Sequence, residues 1–172
     1  MNFDQLPAQL LLATAHDAGA DTALRCRALL ERAATGRELQ AAFRGELARA
    51  GLTEPGFAVL AALCAQESNA LLRSDLPVAA GLSPIRATDA LTRLEMSGLV
   101  RRHRDPQDRR LVWLRLTPAG QQVGRDALRR CLAAAATVTA PLDAHELEAS
   151  LTISAKLRQG AGRLARETAG IA

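Results

Sequence analysis

The chain has 172 residues, enough to bury one hydrophobic core, and it carries a formal net charge of +4. Aromatic residues make up 2% of the composition and tyrosine is absent, which excludes a stacking platform for single-stranded nucleic acid. The N-terminus is not leader-like and no apolar run approaches about twenty residues, so a cytoplasmic protein without a membrane partner is expected.

The first fifty residues predict helices, because apolar residues recur at helical spacing. A short helix is expected first, and Asp21 is predicted to cap a second one. Thr35 and Glu38 have the spacing of a capping box, so the chain either begins a further helix near Gly36 or continues through it. Gly51 is the predicted stop. The apolar residues of this region are Leu6, Leu10, Leu11, Leu24, Leu29, Leu30, Leu39, Phe43 and Leu47.

Three further helices are predicted between Thr53 and Gly98. Thr53 precedes a helix whose expected core-facing stripe is Phe57, Leu60, Ala61 and Cys64. Ser74 is predicted to cap a short helix that runs to about Ala80 and ends at Gly81. Ser83 followed by Pro84 marks the start of a third helix, which runs to about Ser97 and stops at Gly98. Two helices joined by a tight glycine-containing turn indicate a helix-turn-helix.

After Gly98 the pattern becomes extended. Residues 99–103 and 111–116 predict two strands, and the polar, proline-containing turn at 104–109 predicts a hairpin, or wing. Thr117 and Pro118 begin a helix expected to reach about Val138, and Asp143 with Glu146 predicts a capping box before a last helix. The apolar residues of that last helix, together with those of the first helices, form a larger patch than a monomer would expose, so a homodimer is predicted. The apolar residues of the last helix are Leu147, Leu151, Leu157 and Leu164.

Positive charge is concentrated in this central region. Between Pro84 and Leu116, eight arginines stand against four acidic residues, so the segment has a net charge of +4 and the remainder is neutral. Charge focused in this way favours a phosphate-facing patch over a merely solvated surface. Duplex DNA is therefore the predicted partner.

The segment GLVRRHRDPQDRRLVWLRLTPAG, from Gly98 to Gly120, resembles the wing of the MarR family of transcriptional regulators. It contains a Gly-Leu-Val after the recognition helix, an Asp-x-Arg at the wing tip and a Leu-Thr-x-x-Gly leading into the next helix. Upstream, GLTEPGFAVLAAL and SPIRATDALTRLEMSGLV are similar to the family's segment after the first long helix and to its recognition helix, so the resemblance covers roughly residues 36–164.

The resemblance implies a mainly α fold with a small β-wing, in a winged helix-turn-helix of the MarR-type helical dimer. Residues 1–172 would form a single domain, with dimerisation helices at about 1–50 and 118–172 and the DNA-binding part at about 52–117. It also implies a pseudo-palindromic operator and repression as the commoner mode. A pocket for a small apolar or aromatic acid effector is expected beneath the dimer helices, between the dimerisation and DNA-binding regions. Arg or His would lie at the rim of that pocket.

The recognition helix can be oriented from its periodicity. With Ala87, Leu91 and Leu94 buried, a step of about 100° per residue brings Ile85, Asp89 and Thr92 to the opposite side. Arg86 and Arg93 flank this face on one side and Thr88 on the other. Arg86 is the first candidate for a base contact, with phosphate as the equal alternative for both arginines.

Asp89 departs from the family's usual pattern, in which a polar or basic residue is common. A carboxylate facing a polyanion is repelled unless it accepts a hydrogen bond from cytosine or is neutralised by a neighbour. Arg86 and Arg93 are within reach on the helix surface, so the favoured hypothesis is that Asp89 orients them.

At the wing, the resemblance places Arg110 in the minor groove with Asp108 holding it in position, and Arg109 on the DNA backbone. An ion pair that only stabilises the turn is the alternative. Arg102 and Arg104 are expected to contact phosphate. The predicted DNA-binding residues are Ser83, Ile85, Arg86, Thr88, Asp89, Thr92, Arg93, Arg102, Arg104, Asp108, Arg109 and Arg110.

Other functions have less support. An enzyme is not expected, because the three histidines are isolated and no Cys-His dyad, phosphate loop or metal-ligand spacing accompanies them, and no cofactor is predicted. A winged-helix protein-interaction module would need a neutralised recognition face, for which Asp89 alone is insufficient. A thiol-based redox sensor using Cys26 would lack tyrosine partners. Free buried thiols are expected at Cys26, Cys64 and Cys131.

Overall fold

The structure, a computed structural model, describes residues 8–66 and 70–170. Within them it contains seven helices and three strands, and the expectation of a mainly helical fold with a small β-wing is confirmed. In chain order the elements are α1 (Ala8–Asp17), α2 (Ala20–Arg49), α3 (Glu54–Cys64), β1 (Ala70–Leu72), α4 (Leu76–Ala79), α5 (Pro84–Met96), β2 (Val100–Arg104), β3 (Val112–Leu116), α6 (Pro118–Thr139) and α7 (Ala144–Ala169).

The chain divides into two compact units, one ending at Cys131 and the other beginning at Leu132. The second unit contains the end of α6 and all of α7, and no residue of α7 is buried. The predicted capping box at its start is confirmed, because Asp143 accepts from the Glu146 backbone N–H while the Glu146 side chain accepts from Asp143. The exposed apolar residues of α7 are Leu147, Leu151, Ile153, Leu157 and Leu164.

The core of the first unit is built around α3, which packs on α4, α5 and β3. The predicted stripe of this helix was only partly correct: Leu60 is fully buried, but Phe57, Ala61 and Cys64 are half-buried. The most deeply buried neighbours of Leu60 are instead Val59 and Leu63. A helix covered from several sides buries a wider arc than an amphipathic stripe, which explains the difference.

The helix starts show which capping signals were correct. Thr53, predicted only to precede α3, is its N-cap and accepts from the Gly56 N–H at 3.2 Å. Asp21 is not a cap: α2 has Gly19 as its N-cap, and Asp21 lies in the first turn, paired with Arg25 at 2.7 Å. Ser74 is also wrong as a cap, since Asp75 occupies the N-cap of α4 and the Ser74 hydroxyl donates to the Asp75 carboxylate.

Helix α2 runs without a break through Gly36, which decides between the two alternatives for this segment. The Thr35 hydroxyl donates to the Glu31 carbonyl one turn earlier and therefore does not cap a new helix. The helix ends just before Gly51, as predicted. Leu6 lies outside the described residues.

No single described helix is long and apolar enough to span a membrane. By length and composition alone, α2 and α3 would be sufficient only if taken together, and they are bent by 71° with respect to each other.

The sheet has the order β1-β3-β2, with both pairings antiparallel. The two strands of the wing are confirmed: β2 is shifted by one residue, and β3 begins one residue later than expected and ends where expected. Strand β1 was not predicted; it has three residues and pairs Leu71 with Leu114 and Leu72 with Trp113. This third strand joins the helix-turn-helix to the wing through the shared β3.

The N-terminus of α6 lies directly against the end of α5. The Thr117 N–H donates to the Leu99 carbonyl at 3.0 Å, and the Thr117 hydroxyl donates to the Gly98 carbonyl at 2.8 Å while accepting from the Gly120 N–H. A Cβ atom at Gly120 would lie 2.0 Å from the Leu99 carbonyl oxygen, which is backbone and cannot move independently. Glycine is therefore required at this position.

We predict that Gly120→Ala lowers the free energy of unfolding by about 3 kcal/mol, the upper range for an overpacked site. Gly45→Ala is the matched control, since a Cβ in that part of α2 would meet nothing within 4 Å. Its helix propensity should make it more stable by about 0.5–1 kcal/mol. Urea denaturation of both variants measures the difference, and equal stabilities would contradict the close approach of α6 to Leu99.

Candidate nucleic-acid interface

Helix α5 begins with the predicted cap. The Ser83 hydroxyl accepts from the Arg86 N–H at 3.4 Å, and Pro84 occupies the first helical position. Before it, Gly81 ends α4 with a φ of +62°, which a side chain would disfavour. The turn between α4 and α5 is therefore short. The direction in which α5 leaves it is set by Gly81 and by the Ser83 cap.

One face of α5 is buried and the opposite face is open to solvent. Ala87, Leu91 and Leu94 are buried as predicted, together with Ala90. All of the residues predicted to face DNA from this helix are exposed or half-buried, and Ile85 retains 75% of its accessible surface. These positions are Ser83, Ile85, Arg86, Thr88, Asp89, Thr92 and Arg93.

The predicted orientation of arginines by Asp89 is not present. Among the described residues, no ion pair joins the Asp89 carboxylate to Arg86 or Arg93. The reason is that side chains three or four residues apart can also extend into solvent, where an exposed pair gains little. Thr92 bonds along its own helix instead, and its hydroxyl donates to the Thr88 carbonyl at 3.0 Å.

The wing tip is organised by Asp105, which sequence reasoning missed. Its carboxylate accepts from the Gln107 N–H at 2.8 Å, the Asp108 N–H at 3.2 Å and the Trp113 indole N–H at 3.2 Å. Its own N–H donates to the Leu111 carbonyl. These bonds, first those from the two backbone N–H groups and then that from Trp113, lower the pKa of Asp105 below its ordinary value.

Asp108 acts on the backbone of the wing. Its carboxylate accepts from the Arg110 backbone N–H at 2.9 Å, and its carbonyl accepts from the Leu111 N–H. In the described part of the chain there is no ion pair between Asp108 and the Arg110 guanidinium, so the alternative of a turn-stabilising ion pair is wrong. Asp108 shapes the turn that carries Arg110, and the side chains of Arg104, Arg109 and Arg110 remain exposed.

Arg102 is paired within the protein. Its guanidinium binds both carboxylate oxygens of Glu95, in the last turn of α5, with Nη2 to Oε2 at 2.7 Å and Nε bonded to Oε1. A two-point contact of this kind fixes direction as well as distance. The phosphate contact expected of Arg102 therefore competes with a contact that ties β2 to the recognition helix.

The structure brings Thr88 of α5 and Arg110 of the wing to the same cavity. Its volume is about 540 Å³, and it also contacts α4 and the ends of β1 and β3. Two surfaces predicted from separate parts of the sequence thus meet at one edge of the molecule. Its other lining residues are Leu72, Arg73, Ser74, Pro77, Pro84, Leu111 and Val112.

A second cavity, of about 660 Å³, lies between α1 and α2. Leu12, Leu24 and several alanines provide an apolar lining, and His16 and Arg27 bring polar groups to it. An apolar lining with an arginine and a histidine is the composition expected of the effector pocket, but this cavity lies between two N-terminal helices and not between the dimerisation and DNA-binding regions, where the pocket was expected.

The three cysteines are far apart in the chain, and two of them have a shifted pKa. The described residues contain no group of three or more His, Cys, Asp or Glu side chains that could hold a metal ion. All three cysteines are free and half-buried rather than fully buried. Burial raises the pKa of Cys64 and of Cys131, which favours the less reactive thiol form.

Comparison with known proteins identifies a single family. A model described as the MarR family matches residues 52–112, from the end of the α2–α3 turn to the start of β3. An uncharacterized HTH-type transcriptional regulator of Bacillus subtilis (strain 168), YwhA, is 35% identical over 78 residues, or 45% of this chain. The match spans 56% of YwhA, just over half of its length.

Solved structures extend the similarity beyond this segment. The PcaV transcriptional regulator of Streptomyces coelicolor, in complex with its natural ligand, is 30% identical with a TM-score of 0.59, over 74% of this chain and 91% of PcaV. BpsR of Bordetella bronchiseptica, whose DNA binding is regulated by 6-hydroxynicotinic acid, is 26% identical with a TM-score of 0.60, over 76% and 97% of the two chains.

The role of Asp105 can be tested with the single tryptophan as a reporter. We predict that Asp105→Ala shifts Trp113 emission to longer wavelength and weakens DNA binding, despite removing a negative charge, because three donors lose their acceptor. Since a lowered pKa keeps the carboxylate ionised, the contact should persist above the ordinary value of 3.8 and be lost only as the pH falls through the lowered pKa.

Asp108→Ala is the matched control for this prediction. It removes the same charge from the same turn, but Asp108 does not contact Trp113, so the emission should change far less. Equal emission spectra for the two variants at neutral pH would show that Asp105 does not anchor the indole.

Proposed function

Because the chain belongs to the MarR family, whose members are DNA-binding transcription regulators and not enzymes, we propose that it is a homodimeric, ligand-responsive repressor of a pseudo-palindromic operator in double-stranded DNA. The observation that carries this proposal is the arrangement of α5 and the wing. A capped helix presents a solvent-facing outer side, and beside it a hydrogen-bonded turn holds three exposed arginines.

The proposed roles follow from these positions. The outer face of α5 enters the major groove, where Arg86 contacts a base edge and Arg93, Thr88 and Ser83 contribute base or phosphate contacts. Arg110 extends into the minor groove from the turn that Asp108 shapes, and Arg104 and Arg109 contact phosphate. Arg102 contributes by holding the wing against Glu95, with phosphate contact secondary.

Dimerisation is proposed for the helices at about residues 1–50 and 118–172, leaving about 52–117 to bind DNA. The supporting observation is the number of apolar side chains left exposed. On α7 no residue is buried, and Leu151 and Leu164 retain 71% and 62% of their surface. Leu10 and Leu24 of the N-terminal helices retain 65% and 57%. Pairing with a second copy would remove this surface from water.

Repression would follow from occupancy of the operator by the dimer. A dimer that holds two recognition helices on one duplex covers the operator and excludes RNA polymerase from an overlapping promoter. The proposed effector is a small aromatic acid that binds between α1 and α2, where Arg27 and His16 would orient its carboxylate. The ligand regulation of BpsR and the ligand complex of PcaV support a small-molecule effector.

The effector proposal predicts a thermal shift. At about 100 times its Kd, an aromatic acid such as 6-hydroxynicotinic or benzoic acid should raise the Tm by about 5–10 °C and release DNA. Arg27→Ala should abolish both effects, because it removes the cation at the cavity. Arg25→Ala, on the same helix but outside the cavity lining, should retain them. A panel of aromatic acids that neither shifts the Tm nor releases DNA would contradict the proposal.

Selection of binding sites from random duplexes tests the function itself. A consensus with two-fold symmetry is expected from a dimer, and a one-sided consensus or none would contradict the proposal. On the selected duplex, Arg110→Ala should weaken binding by about 1–3 kcal/mol and reduce the preference for A·T-rich flanks.

Arg104→Ala is the comparison variant on the same wing. It should weaken binding to all duplexes about equally and reduce the salt slope by about one unit for each phosphate that the variant no longer neutralises. If both variants alter only the salt slope, the wing neutralises charge without reading the minor groove.

A further inference from the structure

The outermost residues of α5 form one straight line along the helix. At about 100° per residue, Ile85, Asp89, Thr92 and Met96 lie within a narrow arc opposite the buried face. All four are exposed, with Ile85 at 75% and Met96 at 84% of their accessible surface. We call these four residues the outer line of α5. Arg86 and Arg93 lie to one side of it.

The outer line offers no side-chain hydrogen-bond donor. Ile85 and Met96 have none, and an ionised Asp89 only accepts. The Thr92 hydroxyl has its proton committed to the Thr88 carbonyl at 3.0 Å, so it too is left as an acceptor. The line therefore consists of apolar groups at its ends and acceptors between them.

Asp89 is distinguished from the other acidic residues of this region. Between Pro84 and Leu116, Glu95 binds Arg102, Asp105 holds the wing turn and Asp108 accepts from the Arg110 N–H. Asp89 has no comparable partner among the described residues. Its charge therefore has no structural role in the described chain, and it lies where DNA is proposed to bind.

This chemistry selects among the bases. In the major groove guanine presents only acceptors, whereas cytosine presents the N4 amino donor and thymine presents its C5-methyl group. An acceptor-only line is repelled by the guanine acceptors and pairs with an amino group. At adenine the N6 amino group lies next to the N7 acceptor, which also repels a carboxylate, so cytosine is the better match. An exposed isoleucine gains by covering a methyl group. N-terminal residues of a recognition helix are those that contact base edges, which favours Ile85 and Asp89 over Met96.

We propose that Ile85 and Asp89 determine the sequence specificity of the DNA-binding site, with Ile85 covering a thymine C5-methyl group and Asp89 accepting from a cytosine N4 amino group. The two residues are separated by about 6 Å along the helix, so the two bases lie within about two base pairs of each other. Guanine contacts are restricted to the flank that carries Arg86 and Arg93. This inference rests on the proposed function, because it concerns the same DNA-binding face.

Uracil substitution tests the contact of Ile85. In the duplex selected by the full chain, each thymine is replaced in turn by uracil, which removes only the C5-methyl group. At one thymine in each half-site, this replacement should weaken binding of the unmodified protein about four-fold, the value of one buried methyl group. Ile85→Ala should lose this discrimination. Val78→Ala, which alters an equally exposed apolar residue outside the outer line, should keep it.

A change of base preference tests the contact of Asp89. At one position the protein should prefer cytosine over the other bases by about 5- to 150-fold, and Asp89→Asn should instead prefer adenine, because an amide matches the adenine N6 and N7. Glu148→Gln removes one negative charge from α7 and should leave the base order unchanged. A merely electrostatic Asp89 would make Asp89→Asn bind every duplex more tightly in the same order.

The outcomes separate this inference from the function on which it rests. A symmetric consensus whose base order is unchanged in Ile85→Ala and Asp89→Asn overturns the inference and leaves the regulator function standing. If the unmodified chain selects no consensus, both fail. Loss of the uracil effect in Ile85→Ala together with the switch from cytosine to adenine in Asp89→Asn establishes both contacts.

Discussion

The packing of α5 against α3 is the constraint on which the rest of the interface depends. Ala87, Ala90, Leu91 and Leu94 fix the rotation of α5 about its own axis, and this rotation decides which side chains face outward. A shift of one residue would turn the helix by about 100° and bury a charged side chain such as Arg86 in place of an alanine. The penalty for burying an unpaired charge makes that alternative inaccessible. The core therefore specifies which side chains of α5 face solvent, without contributing one of them.

Contacts with the same helix also fix the position of the wing. Glu95, at the end of α5, binds Arg102 of β2, and the Leu99 carbonyl between them accepts from Thr117 at the start of α6. At the wing tip, the Asp105 and Asp108 side chains bind backbone N–H groups rather than arginines. The carboxylates thus stabilise the turn through the backbone. The guanidinium groups of Arg104, Arg109 and Arg110 take no part in these bonds and stay exposed. A turn held by ion pairs would have used the cations that DNA binding requires.

Local features of the structure were predictable from sequence, whereas features that join distant residues were not. Ser83 with Pro84 and the Asp143–Glu146 box act within one helical turn, so their spacing suffices. The bonds from Asp105 to the Gln107 and Asp108 N–H groups are local and could have been inferred from an Asp at the start of a turn. Its contact with Trp113 needed the hairpin, and Glu95 meets Arg102 only after the chain reverses at Gly98. Strand β1 is too short to have a periodicity and exists through its pairing with β3. Asp21 failed as a cap because α2 begins two residues earlier than that cap implies, with Gly19 as the N-cap and Ala20 as the first helical residue.

In the proposed complex with DNA, the outer surface would combine two opposing contributions to binding. The arginines of the wing and of the α5 flank attract any duplex, because phosphate contacts are independent of sequence. In that complex, Asp89 and Ile85 on the outer line would lower the affinity for most sequences, since a carboxylate and an isoleucine gain nothing from phosphate and lose hydration in the groove. Specificity is a ratio of affinities, so such a penalty serves discrimination as effectively as an added contact. An acidic residue at the centre of a basic surface is consistent with a regulator that must leave the large excess of non-operator DNA.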